Sequence, residues 1–215
     1  MTTVSRPERP IVLYGFKKSG HSHRVEVFLE LLGLPYVFRP VDLAGGEHKR
    51  AAFTAKNVFG QVPVIEDGDQ VISDSCAILF YLASRYAPES WLPREFPAAA
   101  DVQRWLSVAS GLLAYGAAAA RLVTVFKAPF NPEEVIARAH VLLRVMEDVL
   151  TRGDWLVGTQ PTIADVALYS YVAHAPEGNV SLDAYPHVLG WLARFEALPG
   201  FVPMPSTAVG LRAGA

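Results

Sequence analysis

The chain has 215 residues, 51% of them apolar and 19% charged, with a formal net charge of −2. That balance supports a sizeable core and excludes a disordered chain, and the length favours two compact units. A near-neutral charge excludes the broad cationic field of a nucleic-acid or anionic-membrane binder, and the single cysteine, Cys76, excludes an intrachain disulfide and a multi-thiolate metal site.

Residues 1–10 carry Arg6, Glu8 and Arg9 and lack the apolar stretch of a secretory signal. No later segment has about 20 uninterrupted apolar residues, so a soluble chain is expected, and the cysteine usage suits the cytoplasm. Ile11 to Tyr14 is a short β-prone run. After the polar connection Gly15 to Gly20, a helical pattern places Val25, Phe28, Leu29 and Leu32 on one face. Gly33 supplies a left-handed stop, Pro35 prevents continuation, and Tyr36 to Val41 reads as a second strand.

A weaker helical piece runs to about Lys56, and Gln61 to Ile65 reads as a strand whose Pro63 demands a special local geometry such as a cis bond. Asp67, Gly68 and Asp69 turn the chain into Gln70 to Ile72, and Asp74 or Ser75 caps a helix carrying Ile78, Leu79 and Leu82. The order so far is βαβ, short helix, ββα. Pro88, Trp91, Pro93 and Pro97 then punctuate a connection. Helical patterns follow over about 98–126, 132–151, 162–173 and 186–198, the alanine-rich stretch Ala114 to Ala120 reading as tight helix packing.

Four segments, YGFKKSGHSHRV, GQVPVIED, SDSCAILFYLA and PTIADVALYSY, together resemble the serine-type glutathione transferases of the theta, zeta and nu-like bacterial branches, over nearly the whole chain. The resemblance implies an α+β thioredoxin-like domain over 10–86, a linker over 87–97 and an all-helical domain over 98–215. It also implies glutathione as co-substrate, a small hydrophobic electrophile as second substrate and a homodimer, with no metal, nucleic acid or membrane partner. The alternative is a non-catalytic glutathione-binding or protein-interaction module on the same fold.

The resemblance assigns residues to these tasks. A thiolate, not a thiol, is the nucleophile, so the site must stabilise an anion. Ser19, at the start of the first helix, is placed to do so, with Ser22 as an ordinary helix cap. Pro63 corresponds to a cis-proline that turns the Val62 backbone toward the cysteinyl unit of glutathione, with Gln61 also touching the peptide. Asp74 meets the γ-glutamyl ammonium and Ser75 its carboxylate. His48, or failing it Lys49, meets the glycyl carboxylate. Phe16, Lys18, Tyr115 and Arg121 are the candidates for the second substrate. Thr162 and Asp165 resemble a capping box with Asp165 buried, Cys76 reads as buried and inert, and His21, His23 and His48 do not have the spacing of a metal site.

Overall fold

The pattern of short β-prone runs and proline breaks resolves, in a computed structural model that describes residues 5–214, into four strands followed by a helical half. β1 (Ile11–Gly15) hands over to α1 (Gly20–Leu31), and Gly33 ends the helix at φ 60, a conformation glycine adopts without a Cβ penalty. β2 (Tyr36–Pro40) returns parallel to β1. A 3₁₀ turn at Glu47–Lys49 and the single-turn α2 (Ala51–Thr54) lead to β3 (Val64–Asp67), β4 (Gln70–Ser73) and α3 (Ser75–Tyr86). The sheet order is β2-β1-β3-β4, with β3 antiparallel to both neighbours. This is the expected thioredoxin-like order.

The strand expected over 61–65 begins only at Val64. Val62–Pro63 is a cis peptide just before it, so proline sits outside the ladder where its missing donor is harmless. Ile11, Leu13 and Ile65 of the central strands share one core with Val25, Phe28 and Leu29 of α1 and Ile78, Leu79 and Leu82 of α3.

The second half is helical. α4 (Phe96–Val108) continues through a π-helical stretch, Ala109–Ala118, into α5 (Ala119–Phe126). α6 (Pro132–Leu150), α7 (Ile163–Ala173) and α8 (Pro186–Glu196) follow. The proline-rich connection is shorter than expected, because Phe96 already belongs to α4 and a 3₁₀ turn occupies Glu89–Trp91. Gly116 lets the long helix approach α6, since a Cβ there would lie 3.0 Å from the Ala139 backbone nitrogen. The run Phe96–Phe126 is long and apolar enough to cross a membrane by length and composition, which the sequence reading did not expect because charged residues and glycines interrupt it. Its inner side packs against α6 and α7.

Every residue of α7 is buried, and the helix touches α1, α3, α4 and α8. It therefore brings residues from the far end of the sequence up to the first loop. Thr162 and Asp165 start α7 with a complete capping box, the threonine side chain accepting from the first turn while Asp165 Oδ2 accepts from the Thr162 N–H at 2.9 Å.

Candidate active site

A cleft of about 990 Å³ runs between the N-terminal sheet and the long helix of the C-terminal half. Ser19, His48, Gln61, Val62, Pro63, Asp74 and Ser75 all line it. So do Phe16, Lys18 and Arg121, whereas Tyr115 does not.

Ser19 is the N-cap of α1, with extended backbone (φ −89, ψ 118) and its Oγ accepting from the Ser22 N–H at a long 3.3 Å. Ser22 is therefore not the cap. It is buried within the helix, and its Oγ accepts from the Phe16 N–H, bracing the loop that carries Ser19. The uncapped N–H groups of the first turn point the positive end of α1 into the cleft beside the Ser19 hydroxyl.

On the facing side, Asn57 shapes the approach to Val62 by donating to the Gln61 carbonyl at 2.8 Å and accepting from the Phe59 N–H. The Val62 N–H and C=O have no partner among the described residues, so both are open to an extended ligand backbone. Asp74 opens α3 at φ 71, a strained value for a residue with a Cβ. Its Oδ1 accepts from the Cys76 and Ala77 N–H groups at 2.9 Å each, while Oδ2 stays available on the exposed side. Ser75 is buried beside it, and its Oγ accepts from Arg24 Nη1 at 2.8 Å and lies 3.2 Å from His21 Nδ1.

Arg24 is a buried guanidinium that the sequence reading passed over, and Nη1 also reaches the Cys76 sulfur at 3.4 Å. Burial, with Arg24 beside it, holds the His21 imidazole down at about 3, so His21 is neutral at the cleft. His23 faces away and bonds Ser170 and the Val202 carbonyl, which separates it from His21. His48 lines the opposite end with a buried, unpartnered Nδ1, whereas Lys49 Nζ already donates to the Phe59 and Gly60 carbonyls. Of these two, His48 is the one with a free polar atom. Cys76 is buried, as expected.

Two of the second-substrate candidates are corrected. Tyr115 is 58% exposed on the outer side of the long helix, and the cleft is lined instead by Ala114, Ala118 and Leu122 from the same helix. Arg121 is at the wall but turned inward: it is 1% exposed, its Nε lies 2.6 Å from Glu177 Oε2 and its Nη1 donates to the Lys18 carbonyl at 2.7 Å. It holds the loop before Ser19 rather than presenting a free charge. Phe16 keeps its place, 6.1 Å from the Phe126 ring, and Lys18 stands exposed at the rim.

The residue most clearly missed is Tyr171, buried in α7 and lining the cleft. Its ring lies against the start of α1, so that a Cβ on Gly20 would fall 2.7 Å from its Cζ, and it meets the His21 ring edge-on at 5.0 Å. No local pattern distinguishes Tyr171 from the other apolar positions of α7. Only the packing of α7 on α1 reveals it.

Comparison with known proteins agrees with this layout. Residues 9–84 match the family model for the glutathione S-transferase N-terminal domain, and residues 117–199 the one for the C-terminal domain. The chain is 33% identical to glutathione S-transferase 3 of Zea mays, over 91% of this chain and 96% of that protein. It is 30% identical to glutathione S-transferase theta-2 of Mus musculus, over 83% and 78% of the two chains. Among solved structures, a glutathione S-transferase from Pseudomonas fluorescens superposes with a TM-score of 0.86 at 34% identity, covering 91% of this chain and 99% of that one. A glutathione transferase homolog from Drosophila mojavensis with bound glutathione superposes at 0.81 and 30% identity, covering 88% and 89%.

Proposed function

The chain belongs to the glutathione S-transferase family, and on that premise we propose that Ser19 is the hydroxyl that holds the glutathione thiolate while it attacks a small hydrophobic electrophile. The protein is a glutathione transferase with glutathione as its substrate. The observation that carries the Ser19 assignment is its position: an N-cap hydroxyl at the positive end of α1, on the wall of the one cleft that also holds the open Val62 backbone and Asp74.

Glutathione lies extended across the cleft in this reading. Its cysteinyl backbone pairs with the Val62 N–H and C=O, flanked by Gln61 and Pro63, in the manner of an added strand. The γ-glutamyl ammonium meets Asp74 Oδ2, and the carboxylate of the same unit accepts a hydrogen bond from the Ser75 hydroxyl. The glycyl carboxylate meets His48. The thiol then loses its proton to solvent, and the resulting thiolate accepts from Ser19 Oγ–H beside the first-turn N–H groups. The electrophile sits on Phe16, Phe126 and Leu122, with Lys18 at the mouth, so catalysis combines thiolate activation with proximity.

Ultraviolet absorbance of bound glutathione against pH tests the assignment. Ser19→Ala should raise the apparent thiol pKa by roughly one to two pH units, the equivalent of about 1.5–3 kcal/mol for a charge-assisted hydrogen bond. An unchanged pKa in the variant would remove Ser19 from the mechanism.

We also infer a cytoplasmic homodimer, each protomer with a thioredoxin-like domain over 10–86 and a helical domain that opens with α4 at Phe96 rather than at 98. The inference is supported by the lone buried cysteine and by the exposed Phe80 of α3 next to Gln103 and Ser107 of α4. Sedimentation equilibrium that returns one chain mass, 23.4 kDa, would overturn the dimer.

A further inference from the structure

We propose that Arg24 is a positioning residue for the γ-glutamyl end of glutathione: its buried guanidinium holds the Ser75 hydroxyl and supplies the positive charge whose missing partner is the ligand's carboxylate. The inference rests on the assignment of Asp74 and Ser75 above. It adds the group behind Ser75 that makes this end of the cleft select a carboxylate.

A buried charge is costly unless an opposite charge and hydrogen bonds compensate it. The other fully buried arginine, Arg121, obeys the rule, with Glu177 Oε2 at 2.6 Å from its Nε. Arg24, in the second turn of α1, does not. It is 1% exposed, and among the described residues no carboxylate lies within ion-pair distance of it. Its Nη1 donates to Ser75 Oγ at 2.8 Å and reaches the Cys76 sulfur at 3.4 Å, while Nε and Nη2 have no partner among the described residues. The two titratable rings beside it bring no negative charge either. Burial holds the His21 imidazole neutral, at about 3, and raises the Tyr171 phenol so that it stays protonated.

The missing charge has a natural source. An α-amino acid end brings one ammonium and one carboxylate, and Asp74 answers only the first of these. Its Oδ1 is taken by the Cys76 and Ala77 N–H groups, which leaves Oδ2 for the ammonium. Arg24 answers the second, through Ser75, because Ser75 lines the cleft and Arg24 does not.

Hydroxyl geometry makes that relay work. The guanidinium N–H occupies one lone pair of Ser75 Oγ, so the hydroxyl proton is left to choose between His21 Nδ1, at 3.2 Å, and the cleft. A carboxylate in the cleft is the stronger acceptor, because a hydrogen bond to an ionised group is roughly twice as strong as one to a neutral group. Donation from the guanidinium polarises the hydroxyl in the same sense, and the buried charge acts on the carboxylate through a medium that screens it less than water. The contact joins α1 to α3 across 51 positions of sequence, so it forms only when the two helices pack.

Calorimetric Kd values test the proposal, measured for glutathione and for its 4-aminobutanoyl analogue, which keeps the ammonium and lacks only the γ-glutamyl carboxylate. Wild type should prefer glutathione by about 10- to 100-fold, the range for a hydrogen bond to a charged group. Arg24→Met keeps an unbranched stem, removes the charge and should cut that preference to about threefold or less, by weakening glutathione and not the analogue. KM for glutathione should rise with it while kcat changes much less, because the contact is the same in the ground and transition states. Arg24→Gln, also neutral, reads the same ratio if Arg24→Met does not fold. Glutathione and the analogue weakened alike would reduce Arg24 to a structural residue and overturn the inference. A wild-type preference in Arg24→Met beside a lowered one in Ser75→Ala overturns this inference alone. An unchanged preference in Ser75→Ala, or a wild type that binds both ligands equally, overturns the Ser75 assignment and this inference with it.

Discussion

Glu177→Ala should destabilise the fold by about 3–5 kcal/mol, the cost of leaving the partner of a buried ion pair uncompensated. Glu177 and Arg121 are 0% and 1% exposed, and among the described residues Arg121 has no other carboxylate partner. Glu177 Oε1 accepts from the Thr207 N–H at 3.0 Å and lies 2.7 Å from His174 Nδ1, so the same carboxylate anchors the C-terminal segment. Urea unfolding gives the stability change, and a variant within about 1 kcal/mol of wild type would show that the pair is not an anchor.

The same carboxylate sets an acid limit. Burial pushes the Glu177 pKa up, but hydrogen bonds from His174 and the Thr207 N–H and the charge of Arg121 outweigh it, leaving the folded value at about 2, below the 4.5 of an unperturbed glutamate. A folded pKa below the unfolded one means stability that is fully present above about pH 4.5 and lost as pH falls toward 2. The stability gap between wild type and Glu177→Ala should therefore narrow across that window. A gap constant with pH would assign the effect to packing instead.

Function is tied to this network through one bond. Arg121 Nη1 donates to the Lys18 carbonyl, one residue before Ser19, while Ser22 Oγ accepts from Phe16 on the other side of the turn. The loop that carries Ser19, the hydroxyl proposed to hold the thiolate, is thus held from α5 and from α1. Loss of either tie lets the Ser19 cap drift, and in sites of this kind small misplacements of the reacting groups are costly.

The elements of the N-terminal half were legible because their signals are local: Gly33 and Pro35 end α1, Gly68 turns the hairpin, and Ser19 and Asp74 cap their helices. Most of the cleft lining was legible for the same reason, since the residues proposed for glutathione come from helix starts and one loop before β3. What escaped depends on contacts between distant segments. Tyr171 and Arg24 meet the site through α7 and α1 packing, and Arg121 finds Glu177 56 positions away. Tyr115 was misplaced for a different reason. The π-helical stretch Ala109–Ala118 changes the phase of the long helix, so a 3.6-residue period does not predict which side chain faces the cleft.

Asp165→Ala should be among the most damaging single changes in the C-terminal half, on the order of 4–5 kcal/mol. Asp165 is completely buried, and its Oδ1 accepts from the Leu156 N–H at 3.0 Å and the Trp191 indole at 2.9 Å. Oδ2 takes the Thr162 N–H and hydroxyl. Alanine removes the acceptor for three buried N–H groups at once, and each orphaned donor costs about 1–3 kcal/mol. Asp165→Asn retains one oxygen for Leu156 and Trp191 but turns an NH₂ toward the Thr162 N–H, so roughly half the loss is expected on the same accounting. Denaturation midpoints of the two variants check this order. Because α7 also carries Tyr171 to the cleft, Asp165→Ala should lower thermal stability and glutathione affinity together, whereas a stable variant with weakened binding would point to a direct ligand role for Asp165 that its burial denies.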